Sequence, residues 1–285
     1  MNGLLHKVEK AERVDESFYF DTKTPYHLFL QLDGNFFRAV AYSNVREKFV
    51  MQAAFSYDGK LETLQEIFDK TDFLKRPYTK VRCMVSSLEH TLIPIMNGLS
   101  LDPETALGFN VNLSFNHVCL TNTIKGVDAL LSFAMQKEIV AVVKHRFPQV
   151  EFIHSAVSTI SYSLELAKNH TEPMLHLVLH EGALELCLIN NGKLFLYNTF
   201  TYQTLEDLVY YPLFIAEQFN LNPTQLYLNL SGNVSPHSPE FEMIKKYFSV
   251  VNLAPLDIRS KYAIRMEEEQ IYPPFLTLFT ARLCE

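Results

Sequence analysis

A strand-rich unit that occurs twice restricts this chain more than any other feature. From Tyr26 the sequence reads YHLFLQL, then Asp33-Gly34, then NFFRAVAYS, a short polar break and KFVMQAAFSY. Runs rich in β-branched and aromatic residues, joined by turn signals, predict a three-stranded meander. After Asp58-Gly59 comes LETLQEIFDKTDFL, with Leu61, Leu64, Ile67 and Phe68 at helical spacing, and then the strand-like KVRCMVSS. The unit reads βββαβ. From Leu175 the order returns as LHLVLH, Glu181-Gly182, ALELCLIN, Asn191-Gly192, KLFLYNTF, a helical stretch from Thr204 to Phe219, and QLYLNLSG. Gly34 to Gly182 is an offset of 148 residues, whereas Phe55 to Phe200 and Thr79 to Thr224 are offsets of 145, as a shorter second turn in the later copy would give. Residues agree along this alignment: Phe55-Ser56-Tyr57 faces Phe200-Thr201-Tyr202, and Val85-Ser86-Ser87 faces Leu230-Ser231-Gly232. Agreement in order, spacing and identity favours a duplicated unit over two unrelated meanders slid into register.

Between the copies, VNLSFNHVCLTNT and ALLSFAMQ read as strands, KEIVAVVKHRF as an amphipathic helix, VEFIHSA as a strand and STISYSLELAKN as a helix. Pro148 separates helix from strand, since it lacks an amide hydrogen and has a locked φ. The polar stretch Lys168 to Pro173 is the expected boundary. It gives an N-terminal lobe over 1–168, with an inserted segment at about 99–150, and a C-terminal lobe over 169–285. The tail carries Glu267-Glu268-Glu269, a solvated face or loop, and then Pro273-Pro274 ahead of a helical FLTLFTARL.

With 48% hydrophobic and 20% charged residues, the chain is able to build a packed core. A net charge of −7 argues against a nucleic-acid or anionic-membrane surface, because those partners reward clustered Lys and Arg. The charged first thirty residues and the lack of any long apolar run predict a cytoplasmic protein without a membrane span. Cys83, Cys119, Cys187 and Cys284 are far apart, and the first three sit in apolar runs, so buried reduced thiols are expected.

A duplicated βββαβα module resembles the actin-like ATPase superfamily, which includes actin, sugar kinases, heat-shock chaperones, FtsA and PilM. The order and the middle insertion are most similar to the FtsA and PilM branch, and to uncharacterised bacterial proteins of that fold. The resemblance runs from about Tyr26 to Gly232. It implies an α/β protein of two ribonuclease H-like lobes with a central cleft. Active members carry, in each hairpin, an acid two residues before a glycine and small hydroxylated residues after it. The loop wraps phosphates while the acid holds Mg²⁺ or water. Here Leu32 stands in the acid position before Gly34, and Asn35-Phe36-Phe37 follow. Before Gly182 stands His180, and Ala183-Leu184-Glu185 follow. Leucine and phenylalanine cannot coordinate Mg²⁺, and neutral imidazole is a poor ligand for a hard cation. The adenine-side glycine pair is reduced to Ser231-Gly232.

Asp33 and Glu181, one residue away, are the alternative metal ligands of such a cleft. Acid-Gly pairs are ordinary turn residues, and a one-residue shift sends a side chain to the opposite face. His176 and His180 alternate to one strand face near Glu181, but no third ligand stands at a recognisable spacing, so a structural role is expected. Lys70, Lys75, Arg76, Lys80 and Arg82 read as a solvated loop. LVYYPLFIAEQF reads as an apolar helix bent or interrupted at Pro212, with surplus aromatic area of the kind a protein partner uses. Walker, GxGxxG and GxSxG loops are absent from the sequence. The expectation is a non-catalytic, pseudo-ATPase scaffold or adaptor for another protein, without a cofactor. The runner-up is a residual ATP and Mg²⁺ binder or weak ATPase using displaced acids. A third reading is a homodimer joined through open strand edges.

Overall fold

The computed structural model describes residues 10–16, 18, 26–33, 35–95, 101–168, 170–255, 261–262 and 275–281. In chain order the elements are β1 (Lys10–Val14), β2 (Tyr26–Leu32), β3 (Phe36–Ser43), β4 (Lys48–Ser56), α1 (Leu61–Lys70), a 3-10 turn (Asp72–Lys75), β5 (Lys80–Val85), β6 (His90–Pro94), α2 (Pro103–Gly108), β7 (His117–Thr123), β8 (Ala129–Gln136), α3 (Lys137–Arg146) and β9 (Glu151–His154). Then follow α4 (Ser155–Ala167), β10 (Met174–His180), β11 (Ala183–Asn190), β12 (Lys193–Thr201), α5 (Leu205–Gln218), β13 (Tyr227–Gly232), α6 (Pro239–Lys245), β14 (Val250–Leu253), β15 (Lys261–Tyr262) and α7 (Leu276–Thr280). The acidic run 267–269 and the proline pair 273–274 lie outside the described residues.

By contact the chain divides into two compact units. One comprises Met1–Asn122, Leu131–His154 and Arg259–Ile271; the other comprises Thr123–Leu130, Ser155–Ile258 and Tyr272–Glu285. The change of unit at 154/155 precedes the 168/169 boundary expected from polarity, because α4 packs on β10, β11 and β12. A polar stretch marks where chain is exposed, not which sheet a preceding helix covers.

The first sheet has the order β1-β4-β3-β2-β5-β9, with β15 also on β4, and the second has the order β12-β11-β10-β13-β14. In each, the meander is antiparallel and the strand after the helix returns parallel to the first strand of the unit. The two five-strand paths β4-β3-β2-β5-β9 and β12-β11-β10-β13-β14 are therefore the same path, and the duplication is real at the level of hydrogen bonding. A third sheet, β6-β8-β7, joins β6, which precedes the inserted segment, to β7 and β8 within it.

Alternation assigns one face of each sheet to an aliphatic core. Leu28, Leu30 and Leu32 of β2 pack with Leu64, Ile67 and Phe68 of α1 and with Val140 and Val143 of α3. In the later copy, Leu175, Leu177 and Leu179 of β10 pack with Leu208, Val209 and Ile215 of α5 and with Ile244 of α6. Each fully buried leucine in these layers contributes about 1.5–3 kcal/mol. Helix α5 starts at a capping box between Thr204 and Asp207 and runs on past Pro212, where a bend or an interruption was expected, without being interrupted.

Ladder register refines the alignment of the copies. Leu32 pairs with Phe37 as Leu179 pairs with Leu184, an offset of 147 on both strands (179 − 32 and 184 − 37). Lys80 and Tyr227 open their ladders in the same way, also 147 apart (227 − 80), whereas β4 and β12 keep the 145 of Phe55 and Phe200. Asp33 is thus the counterpart of His180, Arg38 of Glu185, and Val85 of Gly232. Matching Gly34 to Gly182 displaced the first hairpin by one residue, since a turn glycine marks where the backbone needs positive φ and not the start of a ladder.

Candidate functional site

In open α/β sheets, ligands bind at the carboxyl ends of the strands. Here those ends are the hairpin tips after β2 and β10 and the loops after β5 and β13, where the expected site residues fall.

In the later copy, β10 and β13 run side by side to their ends, and the amide of Asn233 donates to the carbonyl of Leu179 at 2.7 Å. Gly232 is required there. Its φ is +84°, and a Cβ would sit 2.1 Å from the Leu179 oxygen. Gly182 also has positive φ, +71°, but a Cβ there would meet only the Tyr202 oxygen, at an ordinary 3.9 Å, and its carbonyl accepts from Tyr202 N–H at 3.0 Å. Glu181 is exposed at the turn.

The His180 side chain turns to Glu185. Its Nε2 donates to Glu185 Oε1 at 2.8 Å, and Glu185 is 2% exposed. Ser155 Oγ donates to the same oxygen at 3.0 Å, while Thr159 Oγ1 and Tyr197 OH donate to Oε2 at 2.7 and 2.9 Å. Four donors occupy the four lone-pair sites of one carboxylate. Those donors come from α4, β10 and β12, so Glu185 fastens the helix and both neighbouring strands to β11. Burial next to this carboxylate raises the Tyr197 hydroxyl well above its ordinary pKa.

A second buried group lies one turn further along α4. Ser163 Oγ donates to Thr159 O at 2.6 Å and so accepts from His176 Nδ1 at 2.9 Å. The opposite ring nitrogen of neutral His176 then accepts from Ser231 Oγ at 2.9 Å. Burial pushes this imidazole down to about 4, with the negative charge of Glu185 a smaller opposing influence. Ser158 Oγ extends the layer to α7 through Thr277 O at 3.0 Å and Thr280 Oγ1 at 2.8 Å.

The first copy fills its strand ends differently. Asp33 accepts from Phe36 N–H at 2.8 Å and forms an ion pair with Arg38. Leu32 is buried in the aliphatic core, and Gly34 lies outside the described residues. In the loop after β5, the carbonyl of Ser87 meets His154 Nε2 at 2.8 Å and His90 Nδ1 at 2.9 Å, with the two imidazole rings 4.6 Å apart.

The structure therefore joins His180 to Glu185 and His176 to Ser231, and leaves Glu181 outside both groups. Sequence reading missed Ser155, Thr159 and Tyr197 as partners of Glu185, and His90 and His154 at Ser87. The hydroxyl-rich spacing of α4, with Ser155, Ser158, Thr159 and Ser163 all buried, was the available signal. Among the described residues, no three His, Cys, Asp or Glu side chains are placed to hold a metal ion. No helix among them is long and apolar enough to cross a membrane. Of the cationic run, Lys70 and Lys75 pair locally with Glu66 and Asp72, and buried Arg82 pairs with Glu151.

The sequence profile of the family described as "Protein of unknown function (DUF3822)" matches residues 15–251. The chain belongs to that family. Solved structures give this DUF3822 chain an actin-like ATPase fold. A Bacteroides thetaiotaomicron VPI-5482 protein, described as having an actin-like ATPase fold and unknown function, aligns at TM-score 0.76 and 21% identity, over 90% of this chain and 96% of its own. A chain of the PilM-PilN type IV pilus biogenesis complex aligns at TM-score 0.59 and 13% identity, over 91% and 98%. The ethanolamine utilization protein EutJ from Carboxydothermus hydrogenoformans aligns at TM-score 0.50 and 9% identity, over 92% and 90%. No curated protein matches the DUF3822 chain in sequence.

Proposed function

We propose that this chain is a non-catalytic member of the actin-like fold that acts as a scaffold or adaptor for another protein. One observation carries the reading: the Asp33 carboxylate of the first hairpin and the buried Glu185 carboxylate of the second are already bonded within their modules, while Glu181 stays exposed at its turn. The Glu185 carboxylate has its four acceptor sites filled by Ser155, Thr159, His180 and Tyr197. Asp33 is neutralised by Arg38. A metal-binding carboxylate must present free lone pairs, and a guanidinium already bonded to it opposes a divalent cation. These residues do not fit Mg²⁺-ATP, and no reaction step is assigned to it. The match to a chain from a pilus-biogenesis complex supports a role in assembly, since a fold of this kind is found there with a partner.

Melting curves with and without Mg²⁺-ATP test the reading. A ligand at a hundredfold its Kd stabilises by about 2.7 kcal/mol, a rise of roughly 5–10 °C for a protein of this size. The expected result is an unchanged Tm and no phosphate release. A rise of that size would overturn the proposal in favour of residual nucleotide binding. The second reading has one supporting feature, the acid Asp33 at the position where the later copy has His180, and predicts that Asp33→Asn abolishes the rise.

A further inference from the structure

We propose that β12 is a dimerisation edge, pairing antiparallel with β12 of a second copy of this chain. The internal duplication supplies the comparison. In the first unit the outer edge of β4 is covered by β1, antiparallel, with Lys10 opposite Phe55 and Val14 opposite Met51. The ladder offset of 145 makes β12 the counterpart of β4, and the stretch equivalent to Met51–Phe55 is Leu196–Phe200. Among the described residues β12 has a ladder only on its β11 side. Among the described residues the same module thus has one meander edge closed by an added strand and one without a neighbour.

An open edge exposes a row of backbone N–H and C=O groups, and natural proteins usually blunt it with short strands, prolines or charges. Strand β12 has none of these beyond its first residue. It is nine residues long, KLFLYNTFT, and uncharged from Leu194 to Thr201. Phe195 within it is 48% exposed, and Tyr210 and Phe214 on the helix that follows are 59% and 40% exposed with their rings stacked at 5.9 Å. Exposed apolar area adjoining an unpaired edge fits a protein surface better than solvent.

Symmetry and charge select a second copy as the occupant. Directly opposed residues of an antiparallel pair share a face, so a two-fold axis normal to the sheet must place one residue opposite itself. Asn198, exposed at the middle of the uncharged stretch, is that residue. With Asn198 on the axis, Lys193 at one end of each strand approaches the acidic start of α5, Glu206 and Asp207, of the other copy. Parallel pairing would instead set Lys193 against Lys193. The proposal is independent of nucleotide binding, which the melting experiment addresses separately.

Sedimentation velocity over a concentration series, with oxidative crosslinking, tests it on the whole chain. Wild type is expected to dimerise, and Asn198→Lys, which brings two cations together on the axis, to sediment as a folded monomer with an unchanged far-UV circular dichroism spectrum. Tyr210→Glu gives the same result from outside the strand, should the strand substitution disturb folding. Asn198→Cys is expected to crosslink to itself. Lys193→Cys, whose copies lie roughly 30 Å apart along the paired strands, is expected not to. A wild-type monomer at every concentration overturns the proposal, as does a dimer that survives Asn198→Lys and fails to crosslink through Asn198→Cys.

Discussion

Arg38 and Glu185 occupy the same position in the two copies of the module and carry opposite charge, and each is bonded to the residue at the tip of the preceding strand. Arg38 holds Asp33, and Glu185 holds His180 at 2.8 Å. The acid and the base have exchanged places between the copies while the ladder around them stayed the same.

Removing the buried carboxylate strands four donors at once. Glu185→Ala should lower unfolding free energy in urea by about 3–5 kcal/mol, and Glu185→Gln by about 1–3 kcal/mol, because the amide keeps the shape and one acceptor. Equal, small losses for both would show that the hydrogen bonds of Ser155, Thr159 and Tyr197 contribute little.

Stability should fall as pH is lowered through the histidine range. His176 titrates near 4 when folded, against 6.5 as its ordinary value. Between those values the unfolded chain binds the extra proton, so stability rises with pH there, is fully present above about pH 6.5 and is lost towards pH 4. The amount is on the order of 3 kcal/mol at most. In His176→Phe, which installs the residue found at the equivalent Phe29, the slope across this window should flatten in urea titrations at successive pH values.

The two turn glycines of the later copy should respond very differently. Gly232→Ala drives a methyl into the Leu179 carbonyl and should cost more than about 3 kcal/mol or prevent folding. Gly182→Ala, at positive φ but without a clash, should cost about 1–2 kcal/mol. Thermal melts of the pair would refute this if they ranked the other way.

Thiol labelling separates the cysteines. Burial pushes Cys83 and Cys187 up to about 12, so neither should react with an aromatic disulfide reagent until the chain unfolds. Half-buried Cys119, 3.1 Å from Ser132 Oγ, should react in the native state, as mass spectrometry of a Cys284→Ser background would show.

The meander, its helix and their repetition were legible because alternation and turn residues are local signals, and the strands from Tyr26 to Val85 and from Met174 to Gly232 follow them. Equivalence between copies was less legible. Gly34 and Gly182 look alike, yet the ladder register makes Asp33 the counterpart of His180. The partners of Glu185 were hidden for another reason: Ser155 and Thr159 are 30 and 26 residues away in sequence, and nothing local says which side chain a helical hydroxyl will meet. His176 was expected to be structural or partly exposed, and its bond to Ser231, 55 residues on, could only be seen in space.

The reversed polarity of the two hairpins bears on assembly fidelity. A chain whose two sheets share one five-strand path risks laying a covering helix on the wrong one. Helix α4 presents Ser155 and Thr159 as donors, and Glu185 offers them an acceptor, whereas Arg38 at the matching place has only donors to give. Glu185→Arg is therefore expected to refold in much lower yield than Glu185→Gln, as a sheet that can no longer be told from its twin.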